Sequence, residues 1–147
     1  MHRNITWSVV LASLSVLGLA PNAQARHHEC SNASLQGPYA FYTTGIVLPA
    51  GTHRENLAVL TFDGQGNYVS NFTTNDNGTV SSGTIVGNTY KVNPDCTASS
   101  FDNQGQEIAK LVLIDGGKEF FFIRINPANL VIRGVGKKQF SDDDEKE

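Results

Sequence analysis

The sequence has few of the residue patterns that mark a catalytic or cofactor-binding centre. It contains two cysteines, four histidines and one tryptophan. It shows no Ser-His-Asp arrangement, no glycine-rich phosphate loop and no Cys/His cluster with metal-ligand spacing. These absences predict no cofactor and no metal site, and they favour a binding protein over an enzyme of a familiar catalytic class.

Positive charge is also scarce. Eleven Lys and Arg stand against fourteen Asp and Glu, which gives a net charge of −3, and the basic residues form no cluster. Nucleic acids and anionic membrane surfaces are usually bound through such clusters. The sequence therefore predicts no nucleic-acid partner, and no membrane partner once the leader segment has been removed.

The first 25 residues have the order of features found in an export signal. Arg3 supplies positive charge, an uncharged run follows over 5–20, and Ala23-Gln24-Ala25 matches a cleavage site. The run falls short of the roughly 20 residues that span a bilayer, which favours a cleaved signal over an anchor. We therefore expect a signal peptide at 1–25, one domain at 26–140 and a disordered acidic tail at 141–147. The expected location is secreted or periplasmic.

Cys30 and Cys96 are the only cysteines, and export would place them in an oxidising compartment. We expect a disulfide between them that ties the leading segment to a turn at 93–95. It would close a loop of about 67 residues and contribute about 4 kcal/mol in the chain-entropy model. The alternative, a reactive thiol at Cys30, would need a base such as His27 or His28.

Beyond Cys30 the chain has no helical periodicity of useful length. Short runs rich in β-branched and aromatic residues alternate with clusters of Gly, Asn and Asp, a pattern typical of strands and turns. About eight strands are predicted, at 39–47, 57–62, 68–74, 83–86 with 89–92, 97–101, 107–114, 119–125 and 130–135. Short connections favour antiparallel neighbours, so the predicted fold is an all-β, antiparallel up-and-down barrel. A two-sheet β-sandwich is the alternative.

Hairpin turns are predicted at 63–67, 75–78, 86–89 and 115–118, where Gly, Asn and Asp tolerate positive φ. The longest connection is predicted at 48–56, LPAGTHREN, which carries His53. The stretch TFDGQGNYV at 61–69 also suggests a calcium loop. Gln65 and Asn67 are weak calcium ligands and no closing Glu follows, so a hairpin is the preferred interpretation.

The run KEFFFIRIN at 118–126 predicts a strand that is apolar on both faces. Phe121 points one way, while Phe120 and Phe122 point the other. If the preceding turn closes symmetrically, Val112 pairs with Phe121. A strand of this kind needs a cover on its second face, supplied by the N-terminal segment, by another subunit or by a filled barrel interior.

Arg124 and Arg133 are charges within predicted strands. A symmetric turn at 126–129 would place Arg133 opposite Phe122, on the same face as Arg124. Each arginine is then either a solvated rim charge or an anion anchor in a pocket. The candidate ligand-binding residues are Phe41, Phe62, Phe72, Phe121, Arg124 and Arg133.

Four segments carry a resemblance to known proteins: CSNASLQGPYAFYTTG, TFDGQGNYVSNF, YKVNPDCTASS and LIDGGKEFFFI. They are similar to small secreted bacterial proteins that open with Cys-x-x-x-Ser-Leu-x-Gly-x-Tyr-x-Phe and later contain Asp-Cys-Thr. The architecture also resembles calycin-type and allene-oxide-cyclase-type barrels. That resemblance implies an apolar interior that holds a ligand or carries out a cyclisation.

The aromatic strands and the lack of a catalytic cluster favour a secreted binding module for an apolar or aromatic small molecule. One alternative is a cyclase- or isomerase-like barrel enzyme that relies on pocket shape and one or two polar groups. Another is a structural or interaction protein that forms a homo-oligomer through the doubly apolar ribbon.

Overall fold

In the computed structural model, residues 29–140 are described, and they form a closed antiparallel barrel. The strands follow one another in chain order, and the last pairs with the first. They are β1 (Gln36–Val47), β2 (Thr52–Asp63), β3 (Asn67–Asp76), β4 (Thr79–Val92), β5 (Thr97–Phe101), β6 (Glu107–Ile114), β7 (Glu119–Arg124) and β8 (Leu130–Lys138). Short 3-10 helices occur at Asn32–Ser34 and Asp115–Gly117. The predicted eight-stranded barrel is confirmed.

The predicted signal peptide at 1–25 and acidic tail at 141–147 lie outside the described residues. Between residues 29 and 140, no helix combines the length and the hydropathy that a membrane crossing requires.

The turn at 63–67 joins β2 to β3, so the hairpin interpretation is confirmed. One Asp63 carboxylate oxygen accepts hydrogen bonds from the backbone N–H groups of Gln65, Gly66 and Asn67 at 2.7, 2.9 and 2.9 Å. The other oxygen accepts one from the Asn67 side chain at 2.6 Å. These bonds, led by the one from the Asn67 side chain, stabilise the ionised form and lower the pKa of Asp63 to about 2.

Two predicted connections are wrong. Residues 86–89 are not a hairpin turn, because β4 runs through them with a register shift opposite Tyr68 and Ser70. Gly87 has a φ of 80°, and a bulge demands the same positive-φ residues as a turn. The predicted long loop at 48–56 is also mostly strand, since Arg54 pairs with both β1 and β3.

Residues 30–35, here called the N-terminal plug, close the barrel end at which β1 begins. Cys30 and Cys96 are joined by the predicted disulfide, with their Cα atoms 4.9 Å apart. The Tyr90 hydroxyl donates to the carbonyl oxygens of Asn32 and Leu35, both at 2.9 Å. The Asn32 side chain accepts the backbone N–H of Val92 at 2.9 Å. Leu35 is completely buried as a result.

The turn between β6 and β7 packs closely against this plug. Gly117 has a φ of +98°, and a Cβ there would collide with the Ser34 backbone. Its carbonyl oxygen accepts the Tyr39 hydroxyl at 2.6 Å. Burial raises the pKa of Tyr39 to about 12. Position 117 therefore requires glycine for both its backbone angle and its close approach to the plug.

Aromatic rings fill the barrel interior above the plug. Phe62 lies edge-on to Tyr39 and to Tyr90, with ring centroids 5.3 and 5.1 Å apart. Phe120 is fully buried, and a Cβ at Gly136 on the neighbouring strand would collide with its ring. The inward-facing glycine of β8 thus makes the space that Phe120 occupies.

Candidate functional site

A cavity of about 300 Å³ lies inside the barrel and extends from the aromatic core toward the end opposite the plug. The loops at 48–51, 77–78, 102–106 and 125–129 surround that end. Arg54, at the rim, keeps 29% of its side-chain surface exposed, whereas Phe120 at the base is fully buried. The plug closes one end of the barrel, so the cavity opens at the other, which we call the open end.

Aromatic and aliphatic side chains contribute about equally to the apolar wall, and the aromatic rings pack against one another. Phe41 lies edge-on to Phe122, with centroids 5.1 Å apart, and 5.8 Å from Phe120. Phe62 packs against Tyr68 at 5.3 Å. Apolar walls of this kind favour ring-bearing or aliphatic ligands.

Polar groups on the opposite wall bond to one another. The Tyr68 hydroxyl lies 2.7 Å from the Ser100 hydroxyl and accepts the Asn88 side-chain amide at 3.1 Å. Across the residues that the structure describes, every buried side-chain nitrogen and oxygen has a hydrogen-bond partner. These groups can orient a ligand, but they do not form an acid–base pair poised for proton transfer.

Two arginines stand at the rim. Arg54 donates to both Asp76 oxygens, at 2.7 and 2.5 Å, which raises the pKa of Arg54 and lowers that of Asp76. Arg124 is half-buried and donates from Nε to the Asn126 carbonyl oxygen at 2.6 Å. Burial lowers the pKa of the Arg124 guanidinium, which nevertheless stays charged at neutral pH.

The structure brings some of the predicted ligand-binding residues together and separates others. Phe41, Phe62, Phe72 and Arg124 all line the cavity, and their role in binding stays a prediction. Phe121 is 55% exposed on the outer surface and lies outside the cavity. The predicted pairing of Val112 with Phe121 is confirmed.

The predicted position of Arg133 is wrong. It pairs with Ile123 rather than with Phe122, and it lies exposed on the outer surface. The turn at 126–129 is not symmetric, and the resulting slip of one residue moves the side chain to the opposite face of the sheet. Arg124 and Arg133 therefore do not share a site.

Three polar residues of the rim, Arg54, Asn56 and Thr74, line the cavity. The sequence pattern allows a loop site of Arg54 with His53 and Glu55 but favours a solvated charge cluster, and it gives no sign that Asn56 and Thr74 belong to a site. The Thr74 hydroxyl donates to the Asn56 side-chain oxygen at 3.0 Å. Arg54 and Asn56 were assigned to a loop. Their alternation with the inward-facing Leu60 and Phe62 was the signal that could have placed them on a strand.

A row of apolar side chains crosses the outer surface over five neighbouring strands. Each member pairs directly with the next across the β6–β7, β7–β8, β8–β1 and β1–β2 ladders. We call this row the outer stripe; it consists of Val112, Phe121, Val135, Tyr42 and Leu57.

Comparison with protein-family models, with curated protein sequences and with solved structures found no match for this chain. Within residues 29–140, no three or more His, Cys, Asp or Glu side chains gather where they could hold a metal ion.

Proposed function

We propose that the protein is a secreted or periplasmic β-barrel that binds an apolar or aromatic small molecule in its cavity. The supporting observation is a cavity of about 300 Å³ whose apolar wall is made of aromatic and aliphatic side chains in about equal number. A cavity of about 150 Å³ holds one benzene molecule, so this one has room for about two six-membered rings. The Cys30–Cys96 disulfide is compatible with an exported protein.

The resemblance of the sequence to small secreted bacterial proteins and to calycin-type barrels is offered in support of this proposal. A cyclase or isomerase would need a polar group directed at its substrate. Tyr68, Ser100 and Asn88 bond to one another instead. Arg124 also lines the cavity and can anchor a ligand, but its guanidinium keeps its proton at neutral pH and cannot serve as an acid or base. A binding protein is therefore the function that the cavity supports best.

Titration with 1-aminonaphthalene tests the binding function, because this two-ring dye is uncharged near neutral pH and its fluorescence shifts to shorter wavelength in apolar surroundings. We expect saturable binding to the disulfide-bonded protein. Ser70 faces the cavity and is buried, whereas Thr73 on the same strand is exposed on the outside. Ser70→Phe should abolish binding of the two-ring dye because the added ring occupies about half of the cavity, and the matched control Thr73→Phe should leave binding unchanged.

The thermal stability of these variants provides a second readout. A phenylalanine forced into a packed interior destabilises by about 1–3 kcal/mol, whereas one that enters an empty cavity does not. We therefore expect Ser70→Phe to unfold within a few degrees of the wild type. A folded Ser70→Phe protein that still binds the dye as the wild type does would refute the cavity as the binding site.

A second candidate function is self-association through the outer stripe. Phe121 and Leu57 in the stripe are 55% and 64% exposed, which is unusual for side chains of this size on an isolated barrel. Charges of both signs flank the stripe, including the Glu119–Lys137 pair at 3.6 Å. Mixed charge of this kind allows two copies of the same face to approach without strong repulsion.

A further inference from the structure

The two arginines at the open end differ in their partners. Arg54 is neutralised by Asp76, which accepts two hydrogen bonds from its guanidinium at 2.7 and 2.5 Å. Arg124 forms no ion pair with any carboxylate of residues 29–140. Its hydrogen bond to Asn126 uses Nε. The Nη1–Nη2 edge of Arg124 donates to no other described residue.

This free edge has the shape that a carboxylate requires. A guanidinium edge presents two parallel N–H groups, and a planar carboxylate accepts both of them at once. Arg124 is half-buried and lines the cavity, so its charge has lost part of its hydration without gaining a hydrogen-bonded carboxylate partner. Burial accordingly lowers its pKa. An anion at this edge would offset the lost hydration.

The charges around Arg124 limit the anion to one negative charge. The neighbouring cation, Arg54, is already compensated by Asp76. The Asp102 carboxylate, which forms no ion pair with Arg124, also acts on it through space, and it would repel each negative charge on a ligand. These four charges sum to zero before a ligand binds. The paired N–H groups of Arg124 can bind one carboxylate, whereas every further negative charge adds repulsion, so a monoanion fits better than a phosphate or a dicarboxylate.

The cavity wall beside Arg124 indicates that the rest of the ligand is apolar. Phe122 lies two residues before Arg124 on β7, on the same face of the strand. Its ring is edge-on to Phe41. A ligand that reaches Arg124 with its polar end can therefore lay an apolar body along these two rings.

We propose that the cavity takes a small aromatic or aliphatic monocarboxylate, with its carboxylate on the Nη1–Nη2 edge of Arg124 and its apolar body against Phe41 and Phe122. This inference rests on the proposed binding function and adds the chemical class of the ligand. A small aromatic acid and a fatty acid released from a lipid both end in a carboxylate. The experiments therefore test recognition of the carboxylate.

Three ligands with the same ring system separate the contributions of charge and apolar body. They are 2-naphthoate, neutral 2-naphthalenemethanol and 2-naphthyl phosphate, each titrated calorimetrically into the disulfide-bonded protein near neutral pH. We expect 2-naphthoate to bind about 10- to 100-fold more tightly than the alcohol, as hydrogen bonds to a charged group imply. The phosphate should bind more weakly than the carboxylate. Equal affinities for carboxylate and alcohol would refute the anchor while leaving the binding function intact.

Variants test whether Arg124 causes the preference for 2-naphthoate over the alcohol. Arg124→Gln should lower the affinity for 2-naphthoate to that of the alcohol and leave alcohol binding within about 3-fold of wild type. Arg133→Gln, on the outer surface of the adjacent strand, is the matched control and should change neither affinity. Arg124→Lys keeps the charge but loses the paired N–H groups, so it should give an intermediate affinity.

Three other outcomes would overturn the inference. A folded Arg124→Gln protein that keeps the full preference for 2-naphthoate would place the anion elsewhere. If none of the three ligands binds and the uncharged dye also fails to bind, the proposed function fails together with this inference. If the dye binds and the three naphthalene ligands do not, only the ligand class is wrong. The titrations of 2-naphthoate and of the alcohol use only the wild-type protein, so they test the inference even if the variants do not fold.

Discussion

Removal of the disulfide tests how much of the barrel's stability depends on holding the N-terminal plug. The double variant Cys30→Ser/Cys96→Ser opens a loop with a sequence separation of 66 residues. Closing a loop of that length contributes about 4 kcal/mol through the entropy of the unfolded chain. A domain of this size unfolds with an entropy that converts each kcal/mol into about 4 °C, so we expect the midpoint to fall by about 15 °C.

The non-covalent contacts of the plug remain in this variant. Tyr90 still donates to the Asn32 and Leu35 carbonyl oxygens, and Tyr39 still donates to Gly117. The barrel should therefore fold, with far-ultraviolet circular dichroism like that of the oxidised protein. Its unfolding in urea should show a lower midpoint and a slope somewhat steeper than wild type, because the opened chain exposes more surface when unfolded.

A matched variant separates the covalent contribution from the contacts of the plug. Tyr90→Phe keeps the disulfide but removes the hydroxyl that bonds to the plug, which should destabilise by about 1–3 kcal/mol. The chain-entropy reasoning would be refuted if the double serine variant lost less stability than Tyr90→Phe. A midpoint within about 3 °C of the oxidised protein would refute it equally.

Three further predictions concern the core, the hairpin at 63–67 and the outer stripe. Gly136→Ala should destabilise by about 1–3 kcal/mol in urea unfolding, because its methyl group meets the Phe120 ring, and Phe120→Leu in the same chain should recover part of the loss. Asp63→Asn should flatten the dependence of the melting temperature on acid pH. The folded pKa of Asp63 is depressed, so its contribution is complete above the unfolded value of 3.8 and is lost as the pH falls through about 2. Asp115→Asn in another turn is the control; an unchanged acid profile in Asp63→Asn would contradict the assignment. If the outer stripe mediates self-association, Phe121→Ser should shift the wild-type protein toward the monomer in sedimentation velocity; a wild type that is monomeric at all concentrations would exclude this second function.

The hydrophobic pattern was enough to predict the barrel because every strand contains a run of β-branched or aromatic residues, and several strands extend beyond that run. The strands at 97–101 and 107–114 were predicted with the bounds that the structure shows. The β6–β7 pairing followed from the symmetric turn at 115–118. In these segments local turn chemistry and alternation of side chains determine the structure directly.

The remaining errors have two physical causes. A bulge and a turn use the same residues, so Gly87 gave no local sign that β4 continues. The offset between β7 and β8 depends on the closure of the whole barrel and not only on the turn at 126–129, so Arg133 was placed on the wrong face. The cavity was also beyond local reasoning, because its volume depends on which side chains meet across the closed interior.

The distribution of side-chain size inside the barrel explains why it has a cavity. An eight-stranded barrel is just wide enough for side chains to fill its interior or for one small ligand to replace some of them. Near the plug the inward positions carry large rings, such as Tyr39, Phe62 and Phe120, and the space is filled. Farther along the strands, Ser70 and Ser100 are small and leave volume unoccupied. If this space were only a packing defect, larger aliphatic residues at these positions would stabilise the barrel at no functional cost, and the dye and naphthoate titrations distinguish that case from a binding site.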